Sequence, residues 1–369
     1  MRYALTTMQY HPLGTSGLRV SELFLGTMTF GEDWGWGASP EACRAMFDAY
    51  AEAGGNVIDT AINYTNGASE RIVGDLLKAE RDRFVLSTKY TLTTDPTDPN
   101  AAGNHRKNLT RSLDASLARL GTDRIDLYWV HIWDPLTPID ETMRALDDAV
   151  RAGTILYVGI SDAPAWVVAR ANTLAQWRDW SPAVALQVPY SLARRDVERE
   201  LLPMADAFGL SVAAWSPLAG GVLTGKFLDD SGASEAKARV AADRVSERDR
   251  QLATAVRSVA TDLGVSAAQV AIAWTMHERG HGGGPRVHPI VGARTAEQLQ
   301  DNLAATSLTL PQTALDALDQ ASAITLGFPH DFIRDTASFV YGTAGHDVVP
   351  RRQSRPKPAA SALDDVPAP

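Results

Sequence analysis

The chain has 369 residues, 45% of them hydrophobic and 21% charged, which suits a globular protein of two average domains or one large α/β barrel. A formal net charge of −9 argues against non-specific binding to nucleic acid or anionic membrane, and the single cysteine, Cys43, permits no internal disulfide and fits a reducing compartment. The stretch Met1 to Met8 lacks the apolar core of a secretory signal, and no apolar run approaches the roughly 20 residues of a membrane span, so the expected setting is cytoplasmic.

In chain order, residues 1–20 read as an accessory segment. Leu13 to Val20 alternates apolar and turn residues, as a short hairpin does. Leu23 to Thr27 is the first core strand, and it runs into a loop rich in glycine and tryptophan that carries Trp34 and Trp36. Ser39-Pro40-Glu41 opens a helix, with Ser39 as N-cap and Pro40 in the first turn. Gly54-Gly55 stops it, and Val57-Ile58-Asp59 follows as a second strand, with the next helix expected near Ser69.

The pattern then repeats, with strands expected near 84, 124, 156, 185, 210 and 287. Leu109, Leu113, Leu117 and Leu120 fall at helical spacing before the stop at Gly121, and Leu146 and Val150 share a face of the helix that Gly153 ends. Short apolar runs such as Phe84-Val85-Leu86 suit parallel strands buried on both faces. Counting the strand near 23 gives eight, so a closed (β/α)8 TIM barrel is the expected fold. An open doubly wound sheet predicts G-x-G-x-x-G after an early strand, and the chain has none there.

Residues 228–247 are polar and predict a long loop on the carboxyl face. Two helices follow, near 248–263 and 267–279, the second opened by a capping box of Ser266 and Gln269. Gly282 to Gly284 reads as a flexible loop. The expected division is an N-terminal hairpin segment over 1–20, a barrel over 21–325, a C-terminal segment over 326–349 and a disordered tail over 350–369.

Active groups of such barrels sit at the carboxyl ends of the strands. Asp59, Lys89 and His131 stand at the ends of three successive strands, and Tyr64 lies just past the first. Taken singly, each has a bland reading: a turn residue, a solvated lysine, a packed aromatic, a core histidine. Together they suggest a proton donor. Free tyrosine titrates near pH 10, a neighbouring ammonium favours its phenolate, and a carboxylate holds that ammonium charged and in place. The histidine would orient a carbonyl oxygen or share the proton. No serine or cysteine nucleophile has an obvious base beside it, and no H-x-x-x-H metal motif is present. Gly220 to Lys226 nearly spells a P-loop, but Phe227 replaces the Ser or Thr that would hold magnesium, and the segment lies too late in the barrel. Trp34, Trp36 and Trp133 lie on loops at the active end and are expected to line an apolar substrate pocket suited to aromatic or cyclic carbonyl compounds.

At these residues the chain resembles the aldo-keto reductase family. The resemblance runs from about residue 12 to 310 and rests on Leu25-Gly26-Thr27-Met28-Thr29-Phe30-Gly31, Ile58-Asp59-Thr60-Ala61, Ser87-Thr88-Lys89, Ile125-Asp126-Leu127-Tyr128, His131, Val158-Gly159-Ile160-Ser161, Trp215-Ser216-Pro217-Leu218 and Val291-Gly292-Ala293-Arg294. The variety looks like the bacterial branch related to potassium-channel beta subunits, with Trp215 where many members have tyrosine. The resemblance implies reversible reduction of aldehydes or ketones by NADPH, with Tyr64 as general acid, Lys89 and Asp59 tuning it, and His131 positioning the carbonyl. It implies that Ser161, Asp162 and Gln187 meet the nicotinamide amide and that Trp215 stacks on the nicotinamide. Ser216, Leu218 and Gly220 would wrap the pyrophosphate, and Arg294, Gln298 and Asn302 the adenosine phosphate end. Asp162 stands where many relatives have asparagine, and an ionised carboxylate accepts hydrogen bonds but cannot donate to the amide oxygen. Thr295 and Gln298 also spell a capping box, a role compatible with phosphate binding at a helix amino end.

Two other readings stand beside this one. The barrel could hold NADPH as a redox-sensing regulatory subunit, as the channel beta subunits do. Alternatively, Lys89 could form a Schiff base in an isomerase or aldolase. The expected partner in the leading reading is a small carbonyl or alcohol compound, with no nucleic acid, membrane or metal.

Overall fold

A computed structural model describes residues 8–228, 244–277 and 284–342. Residues 1–7, most of the expected loop over 228–247, Gly282 and Gly283, and everything from 343 onward, including the expected tail, lie outside the described residues.

A two-stranded antiparallel hairpin comes first, β1 (Tyr10–Pro12) against β2 (Arg19–Ser21). Eight parallel strands then close into a barrel: β3 (Phe24–Gly26), β4 (Val57–Asp59), β5 (Val85–Tyr90), β6 (Ile125–Val130), β7 (Ile155–Ser161), β8 (Ala183–Pro189), β9 (Ser211–Trp215) and β10 (Val287–Val291), with β10 pairing back onto β3. The expected strands are all present. Helices cover the outside, among them α1 (Pro40–Glu52), α2 (Ala68–Leu77), α3 (Arg106–Leu120), α4 (Ile139–Arg151) and α5 (Ala165–Arg178).

Every residue of β4, β5 and β6 is buried, because one side of each strand faces the lumen and the other faces the helices. Side chains alternate along a strand, so residues two apart share a face. Val57, Val85, Leu127, Trp129, Ala185 and Ala213 fill the lumen, together with Leu13 and Val20 from the hairpin. Ile58, Leu86 and Tyr128, one residue out of phase, pack under the helices. The Trp129 indole explains Gly159 on the neighbouring strand, since a Cβ there would lie 2.1 Å from the ring.

The helix ends follow their local chemistry. Ser39 caps α1 by accepting from the Ala42 amide, and Gly121 ends α3 in the left-handed conformation. After α6 (Leu201–Phe208), which precedes β9, the two helices expected in succession are α7 (Glu247–Leu263) and α8 (Ala267–Met276). Ser266 caps α8 as expected, but the reciprocal half of the box is absent: Gln269 Nε2 donates instead to Asp301 Oδ1 at 2.7 Å. The amide is turned so that its N–H meets the Asp301 carboxylate, which leaves its oxygen away from the Ser266 backbone N–H that the box would use. Asp301 lies on α9 (Ala296–Leu303), so the exchange ties two helices together. Among the described residues no helix is long and apolar enough to cross a membrane.

Candidate active site

The alternation that fills the lumen also aims the site. Asp59 is two residues beyond Val57, Lys89 four beyond Val85, and His131 two beyond Trp129, so all three continue the inward-facing rows at the carboxyl end. Asp59 and Lys89 are buried, at 2% and 0% exposure. The Lys89 ammonium donates to Asp59 Oδ2 at 2.6 Å, to the Thr60 carbonyl at 2.7 Å and to the Tyr64 hydroxyl at 3.2 Å. Asp59 Oδ1 accepts from Ser87 Oγ at 2.8 Å and Gln187 Nε2 at 3.1 Å. Burial alone would push the Lys89 ammonium down, but the charge of Asp59 and the neighbouring Tyr64 more than offset it and hold it above its ordinary value.

Tyr64 is not on a strand. It opens a short 3-10 turn, Tyr64–Gly67, in which Thr65 and Asn66 take left-handed backbone angles, φ 43° and 53°. Such angles persist only where surrounding contacts impose them. Here Thr65 Oγ1 donates to the Phe30 carbonyl at 2.7 Å and accepts from the Ser69 amide at 3.0 Å, which pins the turn. His131 stands edge-on to Tyr64 with ring centroids 6.1 Å apart. Burial, and then the like charge of Lys89, push His131 down to about 3, so the ring is neutral near pH 7. Its Nδ1 is buried without a partner.

A cavity of about 260 Å³ opens over these groups, walled by Asp59, Tyr64, His131 and Trp34 together with Ser161, Asp162, Gln187 and Trp215. Asp162 takes a left-handed φ of 42° and accepts from the Trp215 indole N–H at 3.1 Å. Burial raises its carboxyl above the usual range, against the opposing pull of Trp215 and Lys89. The Ser161 hydroxyl is buried without a partner.

A second cleft of about 450 Å³ shares Thr29, Ser216, Ile290 and Gly292 with the first, so the two form one groove across the strand ends. Leu218, Gly220, Arg294, Gln298 and Asn302 line it. Gly220 and Gly221 have φ of 67° and 93°, which brings bare backbone to the cleft wall. Thr295 accepts from the Gln298 amide at the start of α9, while Gln298 Oε1 accepts from the Arg294 amide at 3.1 Å rather than from Thr295, one residue off the expected box. The glutamine thereby shapes the loop that carries Arg294.

Two of the three tryptophans expected together are elsewhere. Trp36 lines the second cleft and tilts against Trp34 at 5.6 Å. Trp133 does not wall the cavity over Tyr64; it packs edge-on against Trp166 at 5.6 Å, because its backbone amide is drawn to the Asp162 carbonyl at 3.4 Å and its ring turns toward α4 and α5. The sequence reading did not single out Lys226 for the site. It lines the second cleft, and burial followed by the like charge of Arg294 lowers its pKa. The near-P-loop spacing that ends on this lysine was the available signal. Asn63, Met28 and Leu92 also line the first cavity, and single apolar or amide residues beside a motif leave no sequence signal. Among the described residues no group of His, Cys, Asp and Glu is arranged to hold a metal ion.

The sequence model of the Aldo/keto reductase family matches residues 22–323. Norsolorinic acid reductase of Aspergillus flavus is 37% identical over 351 residues, covering 92% of this chain and 87% of that protein. Aryl-alcohol dehydrogenase (NADP(+)) of Phanerodontia chrysosporium is 33% identical over 365 residues, covering 92% of each chain. Norsolorinic acid reductase B of Dothistroma septosporum is 34% identical over 346 residues, covering 90% of this chain and 86% of that protein.

Proposed function

The chain belongs to the aldo/keto reductase family and is an oxidoreductase of carbonyl and alcohol groups, and from that premise we propose that it reduces aryl aldehydes or ketones with NADPH, Tyr64 serving as general acid. The observation that carries this reading is the Lys89 ammonium set between Asp59 Oδ2 and the Tyr64 hydroxyl, 2.6 Å from one and 3.2 Å from the other. A cation there stabilises the phenolate left when Tyr64 gives up its proton. The neutral His131 donates or accepts a hydrogen bond without adding charge, which suits a group that orients a carbonyl oxygen. A lysine held protonated against a buried carboxylate is a poor amine nucleophile, which weighs against a Schiff base at Lys89.

The groove supports a dinucleotide. Bare backbone at Gly220 and Gly221, the amino end of α9, and the cations of Arg294 and Lys226 suit an anionic phosphate end. Ser161, Gln187 and Asp162 offer polar atoms where the nicotinamide amide would lie, with the Trp215 indole beside them. When bound, NADPH supplies the hydride. The proton that completes the alcohol comes from the Tyr64 hydroxyl, and Trp34 and Leu92 exclude water around the carbonyl. Names of relatives that include an aryl-alcohol dehydrogenase support an aromatic substrate.

NADPH consumption with benzaldehyde and a series of aryl ketones tests the proposal. Saturable turnover is expected. Binding of NADPH without turnover on any of them would favour a redox-sensing role instead.

A further inference from the structure

Asn63 precedes the proposed general acid and lines the cavity over it. Its backbone carbonyl is engaged by the Asn66 amide at 3.2 Å, so the turn itself is satisfied. The side chain is a different matter: Oδ1 is buried with no hydrogen-bond partner. Buried polar atoms in native structures nearly always have partners, and one at a cavity wall that does not is free to take one from a water or a ligand. Three residues of this cavity carry such orphaned atoms, Asn63, His131 and Ser161. The last two have places in the reading above, beside the carbonyl and the nicotinamide amide. Asn63 has none, and it stands beside the apolar walls Trp34, Leu92 and Met28. An amide in such surroundings discriminates, because a ligand without a matching polar group leaves it unpaired.

We propose that Asn63 is a specificity-determining residue that holds a hydroxyl substituent on the aryl carbonyl substrate. This rests on the carbonyl-reductase reading. A hydroxyl both donates and accepts, so it matches whichever end of the amide faces the cavity. A methyl group of similar size does neither. The substrate class narrows accordingly to hydroxylated aryl aldehydes and ketones.

The test compares hydroxy- and methyl-substituted benzaldehydes at each ring position, with NADPH, in mildly acidic buffer that keeps the phenol protonated. The readout is the hydroxyl-to-methyl ratio of kcat/KM in wild type and in Asn63→Leu, with Asn63→Val as a second variant of the same kind. For at least one ring position the wild-type ratio is expected to exceed that of the variants by about tenfold or more, the discrimination one hydrogen bond gives. Wild type with no preference for hydroxyl at any position overturns the proposal without any variant, and so does a preference that both variants retain. If wild type reduces none of these aldehydes, the carbonyl-reductase reading itself fails and the role of Asn63 falls with it.

Discussion

Lys89 donates to the Tyr64 hydroxyl at 3.2 Å, and its ammonium lies 4.8 Å from the centre of the Tyr64 ring. The lysine reaches the tyrosine from below, on the lumen row begun by Val85, while the tyrosine hangs over it from a pinned turn.

Lys89→Met keeps the length of the side chain and removes its charge. We expect kcat/KM for aldehyde reduction to fall by about 10² or more, with the alkaline limb of the residual pH–rate profile displaced to higher pH, because the phenolate loses its cation. Leaving Asp59 buried without its partner should also cost about 3–5 kcal/mol of stability. Asp59→Asn should cost less activity, since the cation stays beside Tyr64. A pH–rate profile and a urea titration of each variant check the pair. A Lys89→Met enzyme with the wild-type profile would remove the lysine from the mechanism.

Arg294 determines which dinucleotide is preferred in this account. It lines the second cleft just before α9, with Lys226 on the same cleft. A guanidinium fork suits the adenosine 2′-phosphate of NADPH, whereas NADH carries a hydroxyl there. One charge-assisted contact contributes about 1.5–3 kcal/mol, so the preference for NADPH should be about ten- to a hundredfold. The ratio of kcat/KM for the two cofactors, in wild type and in Arg294→Ala, measures it. A ratio near one in wild type, or one that survives the substitution, contradicts the assignment.

His288 makes a prediction about acid stability rather than turnover. It is fully buried at the foot of the barrel, stacked on Phe24 at 5.0 Å with Nδ1 3.0 Å from the Ser21 carbonyl. Burial pushes it down to about 3 from the ordinary 6.5. The unfolded chain therefore binds a proton that the folded chain refuses between those two values. The associated stability is fully present above about pH 6.5 and is lost as pH falls toward 3. His288→Asn keeps a polar group for Ser21 and cannot titrate. It should lower the slope of unfolding free energy against pH by about 1.4 kcal/mol per pH unit between pH 6 and 4. Denaturant titrations across that range check it, and an unchanged slope would show that His288 takes up its proton in the folded state.

Much of the fold was legible because parallel strands buried on both faces write themselves as short apolar runs, and because glycine stops mark the helix ends, as Gly121 does. The inward rows could also be read forward to Asp59, Lys89 and His131. Tyr64 was found by its neighbours rather than by a period, since it sits on a turn whose left-handed residues, Thr65 and Asn66, are neither glycine. Trp133, expected in the substrate pocket, does not line it. A loop tryptophan's direction depends on which backbone acceptor its amide finds, here Asp162, and that is settled only when β6 and β7 lie side by side. The partners of Gln269 and Gln298 were hidden for the same reason: Asp301 and the Arg294 amide reach them only in the folded chain.

The proton donor is the centre of the account, and Tyr64→Phe tests it most directly. The substitution removes one oxygen and leaves the ring contacts with His131 and Trp34, at 6.1 and 6.5 Å between centroids. The measurement is kcat/KM for an aryl aldehyde alongside the dissociation constant for NADPH, wild type against variant. The account predicts a fall in kcat/KM of at least about 10² to 10⁴, the usual contribution of general acid catalysis, with NADPH affinity nearly unchanged. Reduction by the phenylalanine variant at close to the wild-type rate would contradict it.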